Sequence, residues 1–75
     1  MTLKVSDNAS VIFDNARPIF LNDSKIDATN SGSISFLGNN TITMPKTINI
    51  NSGSQLTITS PATFTNSIVK ANGLK

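Results

Sequence analysis

The sequence predicts an all-β fold, with residues 1–75 forming a single domain. We expect a short parallel β-helix, or β-solenoid, of about three triangular coils of about 21–23 residues each. Three observations lead to this prediction. Turn-forming residues recur at a fixed interval, short segments of alternating apolar and polar residues lie between them, and the composition favours strands and turns over helices.

The composition is dominated by small polar and β-branched residues. The chain has 10 Asn, 10 Ser, 9 Thr and 9 Ile among its 75 residues. Asn, Ser and Thr compete with the helix backbone for hydrogen bonds, whereas Ile and Thr favour strands. A net charge of +2 with only 13% charged residues argues against disorder. Cys and His are absent, which excludes disulfides, thiolate chemistry and imidazole metal sites.

The turn residues form the repeat. The tetrapeptide Asn-Ser-Gly-Ser at residues 30–33 recurs at 51–54, and Asn-Gly follows at 72–73, so the step is 21 residues both times. Asn-Gly and Ser-Gly pairs supply the positive φ angles of tight turns, and their regular spacing therefore predicts regular corners. The predicted corner residues are Asn30, Gly32, Asn51, Gly53, Asn72 and Gly73.

Three short alternating segments lie between successive corners. In most of them the outer two residues are apolar and the middle one is polar, so the outer two should point inward and the middle one outward. Pro18 and Pro61 each precede the second segment of their unit, where a missing N–H costs least. The segments are residues 3–5, 11–13, 19–21, 26–28, 34–36, 42–44, 48–50, 56–58, 62–64 and 68–71.

The register of these segments is imperfect when it is counted from the corners. Asp27 then aligns with Ile48, which would bury a carboxylate, and Ser35 aligns with Leu56. One residue must therefore be gained or lost at a corner. The alternative fold is a small antiparallel β-sandwich or meander, whose turns also recur every 8–12 residues or so.

Catalysis and metal binding find little support in the sequence. The carboxylates Asp7, Asp14, Asp23 and Asp27 sit at different places around the predicted coils, whereas glycoside hydrolysis needs a facing pair. Asp in such positions is more often a turn former. The glycine-and-aspartate nonapeptide of calcium-binding solenoids is also missing. We therefore predict no enzymatic activity, no metal and no cofactor.

The cations predict neither a nucleic-acid nor a membrane partner. No run of Lys or Arg exists, and no segment approaches the ~20 apolar residues of a membrane helix. Lys4, Lys25 and Lys46 recur at steps of 21 and could stack to bind phosphate or an acidic glycan. The competing interpretation is that they protect exposed strand edges.

Two further sets of residues suggest surfaces. Thr-x-Thr triplets at residues 41–43, 57–59 and 63–65 would order water on a flat face, as in ice-binding solenoids, but in this alignment they do not share a face. Phe20 lies between Ile19 and Leu21, so if those two point inward, Phe20 points outward. Leu37 follows Phe36 at a corner. Phe20 and Leu37 are therefore the candidate assembly contacts.

Laid out in coils, the phrases GSISFLGNNTIT (residues 32–43) and ININSGSQLTI (48–58) resemble the parallel β-helices of bacteriophage tail fibres and tailspikes and of bacterial autotransporter adhesins. The resemblance is general, without a motif diagnostic of one family, and it spans most of the chain. It implies location on the virion, or alternatively outside the cell or at its surface. It also implies frequent trimerisation, a possible host-surface glycan as partner and little intrinsic catalysis.

The functional prediction follows from the resemblance and from the open ends of a short solenoid. Such ends expose strand edges and core, which must be covered by a partner or by symmetry mates. We expect a non-enzymatic structural component of a virus particle, such as a tail-fibre, tail-tip or capsid-decoration module. It should form a homo-oligomer, with a trimer as the first expectation, and bind other virion proteins. The alternatives are a fragment of a bacterial surface adhesin and an ice-binding β-solenoid.

Overall fold

The computed structural model describes residues 1–21 and 23–64 and the backbone of residues 68–71. These residues form β-strands joined by turns and contain no helix. The strands are β1 (Thr2–Val5), β2 (Ser10–Asp14), β3 (Lys25–Ala28), β4 (Ser33–Leu37), β5 (Ile42–Thr43), β6 (Thr47–Ile50), β7 (Gln55–Ile58), β8 (Ala62–Thr63) and β9 (Ile68–Ala71).

The strands form three small parallel sheets. Sheet A has the order β1-β3-β6-β9, sheet B the order β2-β4-β7, and sheet C pairs β5 with β8. A single bridge from Ile19 to Thr43 adds the stretch around Ile19 to sheet C. Every pair of strands is parallel, which confirms the all-β prediction and shows that the antiparallel alternative is wrong.

The spacing of paired strands changes along the chain. In sheet A it is 23 residues from Leu3 to Ile26, 22 from Ile26 to Ile48 and 21 from Ile48 to Val69. The prediction that one residue is gained or lost at a corner is confirmed, because Asp27 pairs with Asn49 and not with Ile48. A slip by one residue would have moved every inward side chain to the outer face, so burial determines this register.

Inward residues of the sheets form one apolar core. Val5, Phe20, Ile26, Ala28, Ile34, Phe36, Ile42, Met44, Ile48, Ile50 and Leu56 are all buried. Leu3, Val11, Phe13, Ile58 and Ala62 pack against them and are partly buried. The predicted inward-outward-inward alternation is therefore confirmed in β1 to β4, β6 and β7.

The segment at residues 19–21 has the opposite orientation to the one predicted. Phe20 is buried, whereas Ile19 and Leu21 are 77% and 70% exposed. The physical reason is a frame shift of one residue: the Phe20 N–H donates to the Thr43 carbonyl, and its ring packs edge-on against Phe36 inside the core. The prediction that Phe20 is an outward assembly contact is wrong.

The corners between sheets A and B are four-residue turns at 6–9, 29–32 and 51–54. In each, the fourth N–H donates to the first carbonyl: Ala9 to Ser6, Gly32 to Thr29 and Ser54 to Asn51. Asn30, Gly32, Asn51 and Gly53 all lie in these corners, as predicted, while Asn72 and Gly73 lie outside the described residues.

The two Asn-Ser-Gly-Ser copies are nevertheless one residue out of structural register. Because Ala28 pairs with Ile50 and Ser33 with Gln55, Asn30 is equivalent to Ser52, and Ser31 to Gly53. The alignment of Asn30 with Asn51 is wrong, since paired apolar strands determine the register and the identical tetrapeptides do not.

Candidate assembly surface

One edge of each sheet is formed by the earliest part of the chain. These edges are β1 in sheet A, β2 in sheet B and residues 18–20 in sheet C, and together they are called the first layer. Lys25 N–H donates to the Met1 carbonyl and Asn15 N–H to the Leu37 carbonyl, so the first layer is bonded to the next strands on one side. Within the described residues no strand pairs with its other side.

Several inward side chains at the sheet edges are less buried than those in the middle, although Val5, Phe20 and Leu56 at the edges are buried too. Ile26, Ile34 and Phe36 are fully buried, with 0% exposure, whereas Leu3, Val11 and Phe13 of the first layer are half-buried. At the opposite edges Ile58 and Ala62 are also half-buried, and Phe64 is 48% exposed. Both ends of the core therefore retain apolar surface that another protein surface could cover.

An aromatic cluster links the first layer to the core. The ring of Phe13 stacks on Phe36 with centroids 4.8 Å apart and an interplanar angle of 5°. Phe20 meets both rings edge-on, at 6.4 Å from Phe13 and 6.2 Å from Phe36. Phe13 is only half-buried because β2 has a single neighbour, β4, among the described strands.

The first layer and the residues beside it also expose large apolar side chains. Ile12 is 61% exposed, Ile19 77%, Leu21 70% and Met1 75%. At the equivalent outward positions the later strands of sheet B carry Ser35 and Thr57. Among the described residues, the exposed large apolar side chains other than Phe64 thus lie in or beside the first layer.

Sequence reasoning missed these residues, although the signal for Ile12 was present. It is the middle residue of the 11–13 segment, and alternation alone places a middle residue outward. Ile19 and Leu21 were missed because the predicted inward and outward positions of their segment were wrong by one residue. Leu37, the other predicted contact, is half-buried at the end of β4 and pairs with Asp14.

Among the described residues, Lys4, Lys25 and Lys46 do not stack in one column of a sheet. Lys4 pairs in register with Asp27, and Lys25 pairs with Thr2 and Thr47. The lysine stack that the shared 21-residue step suggested as one option is therefore not formed. Within residues 1–21 and 23–64, no group of three acidic side chains lies close enough to hold a metal ion.

Asp7 and Asp27 show two different roles for a carboxylate. Asp7 has a φ of 56° in a corner and accepts a hydrogen bond from the Asn30 amide. Its predicted role as a turn former is confirmed. Asp27 instead lies on the outer face of β3, where it does not form a turn.

The threonines do not build a regular array. Thr43 pairs with Thr63 on the outer face of sheet C, but the residue before them in that column is Ile19. Thr57 belongs to sheet B. The prediction that the triplets at 41–43 and 57–59 lie on different faces is confirmed.

A shallow cavity lies on the outer face of sheet C. It has a volume of about 430 Å³, is open to solvent and is lined by Arg17, Ile19, Thr41 and Thr43. One cation, two hydroxyls and one apolar side chain form a small amphipathic surface beside the first layer.

None of the described residues forms a helix that is long and apolar enough to cross a membrane. Comparison with protein-family models, with curated proteins and with solved structures finds no match to this chain.

Proposed function

We propose that the three sheets are the faces of a short parallel β-helix of about three coils, and that this β-helix is a non-enzymatic assembly module. Strand pairs offset by 20–24 residues support this interpretation, because each offset is the length of one turn around three faces. The fixed order of sheets A, B and C along the chain supports it as well.

The observation that carries the assembly function is the incomplete burial of some apolar side chains at both ends of the core. A three-coil solenoid has the same cross-section throughout, so each end exposes strand edges and apolar side chains. Open strand edges are templates for pairing with another chain. We therefore infer that the molecule works by docking its ends and faces onto other protein surfaces.

The setting proposed for this module is a virus particle, as a tail-fibre, tail-tip or capsid-decoration part. The composition of the repeats supports this setting, since short repeats rich in Asn, Ser, Thr and Ile resemble those of phage fibres. The partners are other copies of the chain, with a trimer as the first expectation, and other virion proteins. A host-surface glycan is a further partner proposed from the same resemblance. A fragment of a bacterial surface adhesin, exposed at the cell surface, is the alternative.

The molar mass of the purified chain in solution tests the assembly function. Sedimentation equilibrium over a hundredfold range of concentration should show a defined species heavier than the 7.9 kDa chain. A well-folded chain that stays monomeric at the highest concentration would refute the proposal, because its exposed ends would then need no partner.

A further inference from the structure

We propose that a second copy of this chain covers the first layer, and that the two β2 strands pair antiparallel around a two-fold axis through Ile12. The inference rests on the proposed assembly function and names one partner of that assembly. Among the described strands, the backbone of β2 has unpaired groups along one side.

The direction of the β2 backbone groups follows from its hydrogen bonds to the next strand. Asn15 N–H donates to the Leu37 carbonyl at 2.8 Å, and the Ala9 carbonyl accepts from Ser33 N–H at 2.9 Å. Backbone groups alternate in direction along a strand, so Ser10, Ile12 and Asp14 direct theirs away from β4. No other strand of the described chain pairs with that side.

An antiparallel pair centred on Ile12 uses all of these groups. In antiparallel sheets, pairs that exchange both hydrogen bonds alternate with pairs that exchange none. Ile12 opposite its copy would be a hydrogen-bonded pair, and Ser10 opposite Asp14 of the copy would be the next one. Every unpaired N–H and C=O of these three residues then finds a partner.

The side chains of β2 are complementary in the same register. On the outer face, the 61% exposed Ile12 meets its own copy, and the Ser10 hydroxyl faces the Asp14 carboxylate. On the inner face, half-buried Val11 lies opposite half-buried Phe13 of the copy, which extends the aromatic cluster. Cross-strand apolar pairs of this kind stabilise sheets.

The outer surface decides between this arrangement and head-to-tail stacking. In a head-to-tail stack, β2 would pair with β7 of the next copy. Ile12 would then lie beside the polar Thr57 in the same outward column. Exposed outer apolar residues in sheet B are confined to the first layer, so contact between two first layers covers Ile12 on both copies. Such an isologous contact also closes, whereas head-to-tail stacking grows without limit.

The contact uses strand edges and leaves the outer faces of the later strands free. It is therefore compatible with side-by-side trimerisation, and a trimer joined to a second trimer through first layers would have the mass of a hexamer. The prediction for solution is an even number of chains.

The first test is a pair of single substitutions at matched positions. Ile12→Lys places two ammonium groups opposite each other at the two-fold axis, and we expect the end-to-end dissociation constant to rise by about 100-fold or more. Thr57→Lys is the control, because residue 57 occupies the same outward column at the other end of sheet B. Circular dichroism should show that both variants keep their strands.

The second test exploits the absence of cysteine from the chain. Facing residues of a hydrogen-bonded antiparallel pair have Cα atoms about 5.5 Å apart, within the roughly 4.4–6.8 Å range of disulfides. Ile12→Cys should therefore form a covalent dimer under mild oxidation, and Thr57→Cys should not. A mixture of the two variants that links residue 12 to residue 57 would overturn the two-fold arrangement in favour of head-to-tail stacking.

The outcomes separate this inference from the assembly function on which it rests. A wild-type chain that is monomeric refutes both. An oligomer that survives Ile12→Lys and gives no Ile12→Cys dimer refutes the two-fold contact only, because other surfaces then carry the assembly. Halving of the mass by Ile12→Lys together with the covalent dimer supports the contact.

Discussion

The Cα of Gly32 lies so close to the carbonyl of Val5 that a Cβ on Gly32 would stand 2.1 Å from that oxygen. Both atoms belong to the backbone, so neither can rotate away. The φ of Gly32 is not positive, and the glycine is needed here for space and not for backbone freedom. This close approach brings the second corner onto the end of β1.

We predict that Gly32→Ala destabilises the protein by about 3 kcal/mol or more, because overpacking against backbone cannot relax locally. Gly53→Ala is the matched comparison, since its Cβ would find only the Ser31 hydroxyl at 3.9 Å. Its cost should be about 1 kcal/mol, from the φ of 85° alone. Urea unfolding of both variants measures the difference. Equal losses would contradict the steric explanation.

A second prediction concerns Ser31, which has a φ of 65° and is structurally equivalent to Gly53. Ser31→Gly should raise the free energy of unfolding by about 0.5 kcal/mol, because the relief of left-handed strain exceeds the entropy that glycine adds to the unfolded chain. Ser52→Gly is the control. Ser52 does not have a positive φ, so there the substitution should destabilise by about 0.5 kcal/mol. Thermal unfolding of the two variants should shift in opposite directions.

The aromatic cluster predicts a graded loss of stability. Phe36 is fully buried between Phe13 and Phe20, and Phe36→Ala should cost about 3–5 kcal/mol. Phe13→Ala should cost clearly less in the isolated monomer, since Phe13 is half-buried. The comparison is best made by chemical denaturation at low protein concentration. A larger loss for Phe13 than for Phe36 in the monomer would contradict the observed order of burial.

The buried hydroxyl of Ser54 provides a fourth prediction. Ser54 is 1% exposed, and its Oγ has no hydrogen-bond partner. Ser54→Ala removes an unpaired polar group and should be neutral or stabilising by about 1 kcal/mol. The contrasting site is Ser10, whose hydroxyl bonds to that of Ser33 at 2.9 Å on the surface. Ser10→Ala should lose a few tenths of a kcal/mol or nothing. Destabilisation by Ser54→Ala would show that its hydroxyl has a partner in solution.

The distribution of threonine predicts that the chain does not bind ice. Thr43 lies on sheet C and Thr57 lies on sheet B, so these hydroxyls do not form one regular plane. Thermal hysteresis of the purified chain should be indistinguishable from that of buffer. Measurable hysteresis that disappears with Thr43→Val would restore the ice-binding alternative.

Several features of the fold could be predicted from the sequence because they depend on local patterns. Alternation identified the strands from residues 3–5 to 56–58, apart from 19–21, and it placed Ile34 and Phe36 inward with Ser35 outward. Asn, Ser and Gly marked the corners, because their conformational preferences are intrinsic to each residue. The composition excluded thiol and imidazole chemistry without any knowledge of the structure.

Tertiary structure decided what those patterns left open. The identical tetrapeptides suggested a step of 21, yet hydrogen-bonded pairing of apolar strands set it at 22 from Ile26 to Ile48. Three apolar residues in a row, Ile19, Phe20 and Leu21, contain no alternation that could show which one points inward. Packing against Phe36 selected Phe20. The apolar end of the molecule therefore became visible only when neighbouring strands defined the faces, because exposure depends on contacts between segments more than 20 residues apart.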